Sequence, residues 1–504
     1  MVIEMRLQDL LKDIKYKKIY GSTDMDIKNI SINSKNAMGS SLFVAIEGFK
    51  YNGHNFIGEA VSSGAVAVMV QRKLEIPSHI TQVIVNNTRK VLPVLCRNFY
   101  QEPSKSFKLI GVTGTNGKTT ICYLMDSILN SAGLKTSLIT TVDSFLDGEK
   151  TFFDRTTPES LDLNDFFKKS RQKKIDVVCM EVSSHSIDLH RIDYLKFNYL
   201  VFTNLSRDHL DYHKDMESYF DVKKKLFLKE YRYVYGGEKA VINIDNSYGK
   251  RIFKSTDLKK ISYSLKSYRA NVWASDIKNS ISGIEMDVNT SDGKKLNISS
   301  PLCGYFNIYN ILAAVGICID MGIKNSSIQK GIKSLYGVWG RFEKIDSYKK
   351  STVIVDYAHT PDGLENVLAT IRQMLKPGGR IISVFGCGGD RDKGKRKIMG
   401  HISGQQADFT VITSDNPRTE RPDSIISMIE EGLIESGSKE YIKETDRKKA
   451  IFKALEMARK NDVVLIAGKG HENYQEFEDY RIPFCDREVV NEWAAQKNER
   501  KNKS

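Results

Sequence analysis

The sequence predicts an α/β protein built from several domains. Three observations carry that prediction. The chain has 504 residues, too many for one hydrophobic core. Near residue 110 an apolar strand runs into a glycine loop and then a helix. After residue 380, three apolar strands alternate with helices, each ending in a polar loop, the pattern of a parallel sheet.

The elements follow in order. To about residue 105 the chain has short apolar runs at 42–46, 65–70 and 83–85, separated by Gly, Asn and Ser turns, which suits a small α/β domain. Residues 101–106 (QEPSKS) read as a linker. A buried-type strand at 109–112 then enters the glycine loop. Behind it Ile121, Leu124, Met125, Ile128 and Leu129 share one helical face, and Gly133 ends the helix. A third region begins near Val338. Thr360-Pro361 starts a helix lined by Leu364, Val367, Leu368, Ile371 and Leu375, and Pro377-Gly378-Gly379 ends it. Strands at 381–385, 409–413 and 463–467 follow, running into GCGGDRDKGKRK, SDNPRTERP and GKGHENYQ. Ligands of open parallel sheets bind at the carboxyl ends of strands, so these loops should share one site. The expected division is 1–105, 106–337 and 338–504.

Composition narrows the function classes. It is ordinary for a globular protein, at 40% hydrophobic and 27% charged residues. No apolar run approaches the roughly 20 residues that span a bilayer, so no membrane insertion is expected. The start, Met1 to Arg6, lacks the features of a secretory leader. Seven scattered cysteines never adopt metal-ligand spacing, which suits free thiols in a reducing cytoplasm. The net charge of +14 admits nucleic-acid binding or a lysine-rich solvated surface. The lysines are dispersed and no nucleic-acid fold motif is present, so the surface reading is preferred. Some of that charge can help collect a polyanionic substrate. The polar tail from Lys497 is expected to fray.

The chemistry starts at Gly111 to Thr120, GVTGTNGKTT. Strict Walker A spacing would place glycine at position 112, where this chain has valine. What remains is Gly114, Thr115, Asn116, Gly117, Lys118, Thr119 and Thr120. Their backbone N–H groups and the helix N-terminus would cradle phosphates. Lys118 would reach the β/γ-phosphates of ATP, and Thr119 would ligate Mg²⁺. A second buried strand ends in Glu181, the place where such an ATPase holds its metal. The segment 202–213 packs Asp208 and His209 just after a third apolar strand, a grouping fit for a second cation. The guanine-selective N-K-x-D element is missing, which favours ATP over GTP.

These motifs, in this order, resemble the Mur ligases, ATP-dependent enzymes that add amino acids to UDP-N-acetylmuramic acid in peptidoglycan synthesis. The resemblance spans nearly the whole chain: TGTNGKTT, TTPE (156–159), EVSSH (181–185), TNLSRDHLDYH (203–213), GYFNIYNILAA (304–314), GRFE (340–343), DYAHTPD (356–362), FGCGGDRD (385–392), TSDNPR (413–418) and AGKGHE (467–472). It implies a UDP-binding first domain, a central P-loop ATPase domain and a C-terminal Rossmann-like domain that binds the incoming amino acid. It implies cytoplasmic work through an acyl phosphate, with cations to offset the charge of carboxylate and triphosphate. Lys118 and Thr119 would then hold ATP and Mg²⁺, and Glu181 and His209 would ligate metal. Asn307 and Asn310 would flank the nucleotide, with Arg341 and Asp356 completing its site on domain closure. Lys223 matches the family's carbamylated position and would become N6-carboxylysine. Ser34, Thr156, Thr157, Ser183 and Arg191 would contact the UDP-sugar peptide. Two departures fall here: Asn33-Ser34-Lys35 replaces the usual Asp-Ser-Arg, and His190 stands where glycine is common. A monomer is expected.

The loop Asp415-Asn416-Pro417-Arg418 bears on the amino acid added. meso-Diaminopimelate differs from lysine by a second, distal carboxylate, which a guanidinium binds bidentately. The same guanidinium would repel a lysine ammonium. In diaminopimelate-adding members of the family the contacts match Arg391, Asn416, Arg418, Gly468 and Glu472, all present here. Arg421 departs from the pattern, standing where an acid is usual. The expected reaction is ATP-dependent addition of meso-diaminopimelate to UDP-MurNAc-L-Ala-D-Glu. The alternatives are the L-lysine-adding ligase and a folylpolyglutamate synthase-like ligase.

Overall fold

The computed structural model describes residues 4–48, 51–346 and 351–502. Strands rich in Val, Ile and Leu build three large sheets, of five, eleven and six strands. In the first sheet the strands Asn29–Ser31, Ser41–Val44, Ala65–Val70 and Thr81–Val85 run parallel, with Tyr16–Tyr20 antiparallel at one edge. The helix Thr88–Tyr100 is started by the Asn87 side chain, which accepts the Lys90 N–H, and it covers one face.

The central sheet holds the phosphate loop. Its parallel core places Lys108–Thr113 between Val177–Glu181 and Phe197–Phe202, with Gly236–Asn243 and Lys259–Ser264 beyond. Alternation along a strand divides its side chains between two helix-covered faces. Ile110 and Val112 join Ile121, Leu124, Met125, Ile128 and Leu129 on one face, and Leu109 joins the other. Each such buried side chain contributes roughly 1.5–3 kcal/mol relative to exposure. The sheet extends further than the apolar runs suggest. Val272–Ser280, Gly283–Thr290 and Lys295–Ser300 add an antiparallel flank. In Lys295–Ser300 only alternate residues are buried, so its sequence reads as a polar loop.

The third sheet carries Thr352–Asp356, Val463–Ala467, Ile381–Phe385, Phe409–Ile412 and Tyr441–Lys443 in parallel order, with Glu343–Asp346 as an antiparallel edge. The Thr360 hydroxyl accepts the Gly363 N–H and starts the helix Pro361–Met374. Two expectations are corrected. The 101–106 linker is not a free tether: it folds into a short turn with Pro103 and Ser104 buried, and the Gln101 carbonyl accepts a bond from Arg171. The tail from Lys497, expected to fray, is helical as far as Asn502, with Lys497 itself paired to Glu456. Residues 503 and 504 lie outside the described chain. All seven cysteines are buried free thiols. No described helix is long and apolar enough to cross a membrane.

Candidate active site

The strand Lys108–Thr113 delivers the loop to the carboxyl end of the central sheet, and the helix Lys118–Ser131 leaves from it. The loop is clamped by its neighbour strand. Thr115 N–H donates to the Asn204 carbonyl at 2.9 Å, and Asn116 N–H to Asn204 Oδ1 at 3.0 Å. Glycine is required twice. A Cβ at Gly114 (φ 143°) would stand 1.9 Å from Thr203 Oγ1, and one at Gly117 (φ 88°) 2.4 Å from Asn310 Oδ1. The second contact brings Asn310 against the loop, and Asn310 Nδ2 donates to Asn307 Oδ1 at 3.0 Å. Lys118 folds over the loop onto the Gly114 and Thr115 carbonyls. Burial lowers its pKa, against the pull of Glu181.

Glu181 is fully buried at the end of its strand. Its Oε1 accepts Thr119 Oγ1 at 2.7 Å and the Thr141 N–H at 2.9 Å, and its Oε2 accepts Thr141 Oγ1 at 2.8 Å. A carboxylate and a hydroxyl so joined are the oxygen pair a hard divalent cation takes. His209 sits on a left-handed residue (φ 55°), 3.4 Å from Asp208, with its ring centroid 4.9 Å from that of His185. Burial takes His209 down to about 4, only partly offset by Asp208, so the imidazole is neutral and able to ligate. Lys223 is 1% exposed, with Nζ 3.3 Å from both Thr113 Oγ1 and the Gly114 carbonyl. Burial pushes its amine well below the ordinary value, Lys118 adds repulsion, and Asp208 pulls the other way. A neutral amine is the form that reacts with CO₂, and burial behind the phosphate loop shifts Lys223 toward it.

From the third sheet, the Arg341 guanidinium lies 4.6 Å over the Tyr357 ring, and Asp356 accepts the Phe342 N–H at 2.6 Å. The Arg341 charge acts on Lys118, so the third domain faces the phosphate loop. Arg207–Asp392 at 3.6 Å and the Phe306–Phe342 ring contact at 5.4 Å join the two domains.

The predicted sugar-peptide residues fall into two groups. Thr157, Ser183 and Arg191 meet beside Glu181. Thr157 Oγ1 donates to the Glu181 carbonyl, Ser183 N–H to Thr157 Oγ1, and Arg191 to the Thr157 carbonyl. Thr156 joins them through Thr141 at 3.1 Å. Ser34 stands apart in the first domain, donating to Glu59 at 2.7 Å. Three participants escaped the sequence reading: Thr141, Glu159 and Arg89. The Glu159 carboxylate gathers Arg155, Arg191 and, from the first domain, Arg89. Glu159 ends the TTPE motif, which could have flagged it.

In the third domain the loops converge as expected. Asn416 Nδ2 donates to Glu472 Oε2 at 2.8 Å, and a Cβ at Gly468 would stand 2.7 Å from Asp415 Oδ2. Lys469, fully buried and not singled out from sequence, donates to both Asn416 Oδ1 and Glu472 Oε2 at 2.9 Å. Arg418 Nη1 donates to the Gly389 carbonyl at 2.8 Å, and Arg391 sits on the same loop, its Nη1 on the Asp390 carbonyl.

Comparison with known proteins agrees with this geometry. The model of the Mur ligase family catalytic domain matches residues 26–100, that of the Mur ligase middle domain 112–318, and that of the Mur ligase glutamate ligase domain 340–470. The UDP-N-acetylmuramoyl-L-alanyl-D-glutamate–2,6-diaminopimelate ligase 1 of Clostridium acetobutylicum is 42% identical over 97% of this chain and 99% of its own length. The ligase of that name from Clostridium tetani is also 42% identical, over 97% and 99%. A solved structure of a UDP-N-acetylmuramoyl-L-alanyl-D-glutamate–2,6-diaminopimelate ligase superposes with a TM-score of 0.68 at 29% identity, covering 98% of this chain and 99% of that one. The sheets, the phosphate loop and these matches agree: the chain belongs to the Mur ligase family of ATP-dependent ligases.

Proposed function

We propose that this chain joins meso-diaminopimelate to UDP-N-acetylmuramoyl-L-alanyl-D-glutamate in peptidoglycan precursor synthesis, in the cytoplasm and as a monomer. The observation that carries the amino acid is that loops leaving the carboxyl ends of neighbouring strands set Arg418, held by Glu476, beside the Asn416–Lys469–Glu472 group, to which the Glu476 N–H is bonded through Asn416. The guanidinium suits the distal carboxylate. Glu472, raised by burial and by Asp415 against the lowering pull of Lys469, suits an ammonium end.

The D-glutamyl carboxylate, held near Thr157, Ser183 and Arg191, takes the γ-phosphoryl group of ATP, and ADP leaves. The amine of diaminopimelate attacks the acyl phosphate, and phosphate departs as the amide forms. Lys118 and the loop N–H groups orient the triphosphate, Asn307, Asn310, Arg341 and Asp356 position the nucleotide, and cleft closure excludes water. Thr119, Glu181, His209 and carbamylated Lys223 would hold Mg²⁺, and the joined Thr119 hydroxyl and Glu181 carboxylate are the oxygen donors that fit such a hard cation. The cation supplies Lewis-acid charge neutralisation between carboxylate and triphosphate. Asp415, Arg391 and Gly468 shape the amino-acid pocket, and Ser34 contacts the uridine-sugar end. Domain limits at 105/106 and 337/338 belong to this reading, supported by the way each large sheet keeps within one interval.

The test is phosphate release with the UDP-MurNAc dipeptide and either meso-diaminopimelate or L-lysine. Preference for meso-diaminopimelate is expected. Preference for L-lysine would overturn the amino acid, and turnover with neither would overturn the substrate pair.

A further inference from the structure

We propose that Glu476 is a positioning residue for amino-acid selection: it fixes the Arg418 guanidinium edge-on, and Arg481 preserves the net positive charge there. The inference rests on Arg418 reading the distal carboxylate.

The geometry is specific. Arg418 Nε donates to Glu476 Oε2 at 2.8 Å, and Nη1 donates to the Gly389 carbonyl at 2.8 Å. A guanidinium has five N–H donors, so three remain, two of them on Nη2. With Nε occupied, the Nη1–Nη2 end is the edge still able to give one carboxylate two parallel bonds. The backbone is fixed by the same partner. Arg418 holds φ 51°, uncommon outside glycine, and its N–H donates to the Glu476 carbonyl at 3.1 Å. The Glu476 N–H in turn donates to Asn416 Oδ1 at 3.0 Å, and Gln475 Nε2 to the Asp415 carbonyl at 2.8 Å. The short hairpin of Tyr474–Glu476 and Arg481–Pro483 therefore supports the whole 415–418 loop.

Charge supplies the second half. Alone, Glu476 would cancel Arg418 and leave the site without preference between a carboxylate and an ammonium. Arg481 faces Glu476 directly across the hairpin and donates Nε and Nη2 to Glu476 Oε1 at 3.0 and 2.6 Å. Two guanidiniums thus share one carboxylate, and one positive charge is left over. Arg481 is 59% exposed, and exposed ion pairs add little to folding stability, so what this arrangement provides is orientation and charge.

The experiment compares the full-length chain with Glu476→Ala, Glu476→Gln and Arg481→Gln, measuring phosphate release against meso-diaminopimelate, L-lysine and ATP, with thermal melting alongside. Glu476→Ala is expected to raise KM for meso-diaminopimelate about tenfold, the scale of one charge-assisted bond, with kcat within about twofold. KM for ATP should be unchanged, and Glu476→Gln, which keeps an acceptor oxygen, should recover part of the loss. Arg481→Gln should lower the preference for meso-diaminopimelate over L-lysine by roughly threefold to tenfold. Parental KM values in Glu476→Ala would overturn the inference while leaving the function standing. Equal rises in KM for ATP and the amino acid, with a lower melting temperature, would overturn it in favour of a structural role. If the unaltered chain prefers L-lysine, the functional reading itself fails, a result visible before any variant is made.

Discussion

The phosphate loop and the 415–418 loop both leave parallel strands at their carboxyl ends, yet different forces hold them. At the first, backbone and short polar side chains are locked inside the sheet: Glu181 is fully buried with three donors, and Gly114 and Gly117 have no room for a Cβ. At the second, a run of charged and polar side chains on loops does the holding, from buried Lys469 and Asn416 through Glu472, Arg418 and Glu476 out to exposed Arg481. A phosphoryl-transfer site needs donors that do not move as charge develops. A site that selects one amino acid needs a charge pattern, which loops can change without disturbing a core. The sharpest way to break this contrast is Lys118→Ala. It should cut phosphate release at least about 10²- to 10³-fold and leave the melting temperature nearly unchanged, since among the described residues its hydrogen-bond partners are the Gly114 and Thr115 carbonyls. A small activity loss would mean the lysine is not the phosphate contact.

Arg418→Ala should act on the other region alone. Losing a bidentate, charge-assisted contact costs about 1.5–3 kcal/mol, or roughly 10- to 100-fold in kcat/KM for meso-diaminopimelate. Titration of ATP binding should show no change. If ATP affinity fell in parallel, the two regions would be one coupled site and the contrast would collapse.

How much of this was legible in the sequence follows the same division. The 109–112 strand and Lys118 were legible because an apolar strand running into a glycine loop and a helix is a strong local pattern, and Glu181, at the end of a second buried strand, took its meaning from that loop. The strands at 65–70, 381–385 and 463–467 match the observed limits because each is a nearly continuous apolar run bounded by polar or glycine residues. Thr141 was invisible, since a threonine at the end of a strand is unremarkable until the fold brings it to Glu181, 40 residues away. The Arg89–Glu159 contact crosses two domains, and no local window contains it. Glu476 and Arg481 were hidden for another reason: a polar hairpin on the surface looks like any other loop, and only the ladder register places them face to face. The high positive charge gave no site, because many lysines are paired singly over the surface, as Lys173 is with Glu149 and Lys448 with Glu492.

The mildest test concerns Asp356, which belongs to the third domain and is assigned to the nucleotide only by the proposed function. Burial raises its carboxyl to about 6, although Arg341 and the Phe342 N–H pull it down. A raised acid binds its proton more tightly in the folded chain than in the unfolded one. Between about 4 and 6, stability therefore falls as pH rises, and above 6 the cost is constant. The ionised form that attracts Arg341 is complete only above that value. KM for ATP should therefore rise a few-fold as pH drops from 7 to 5, with no such limb in Asp356→Asn. An Asp356→Asn profile with the parental limb intact would assign the titration to another group, foremost the terminal phosphate of ATP, whose second proton leaves in the same range.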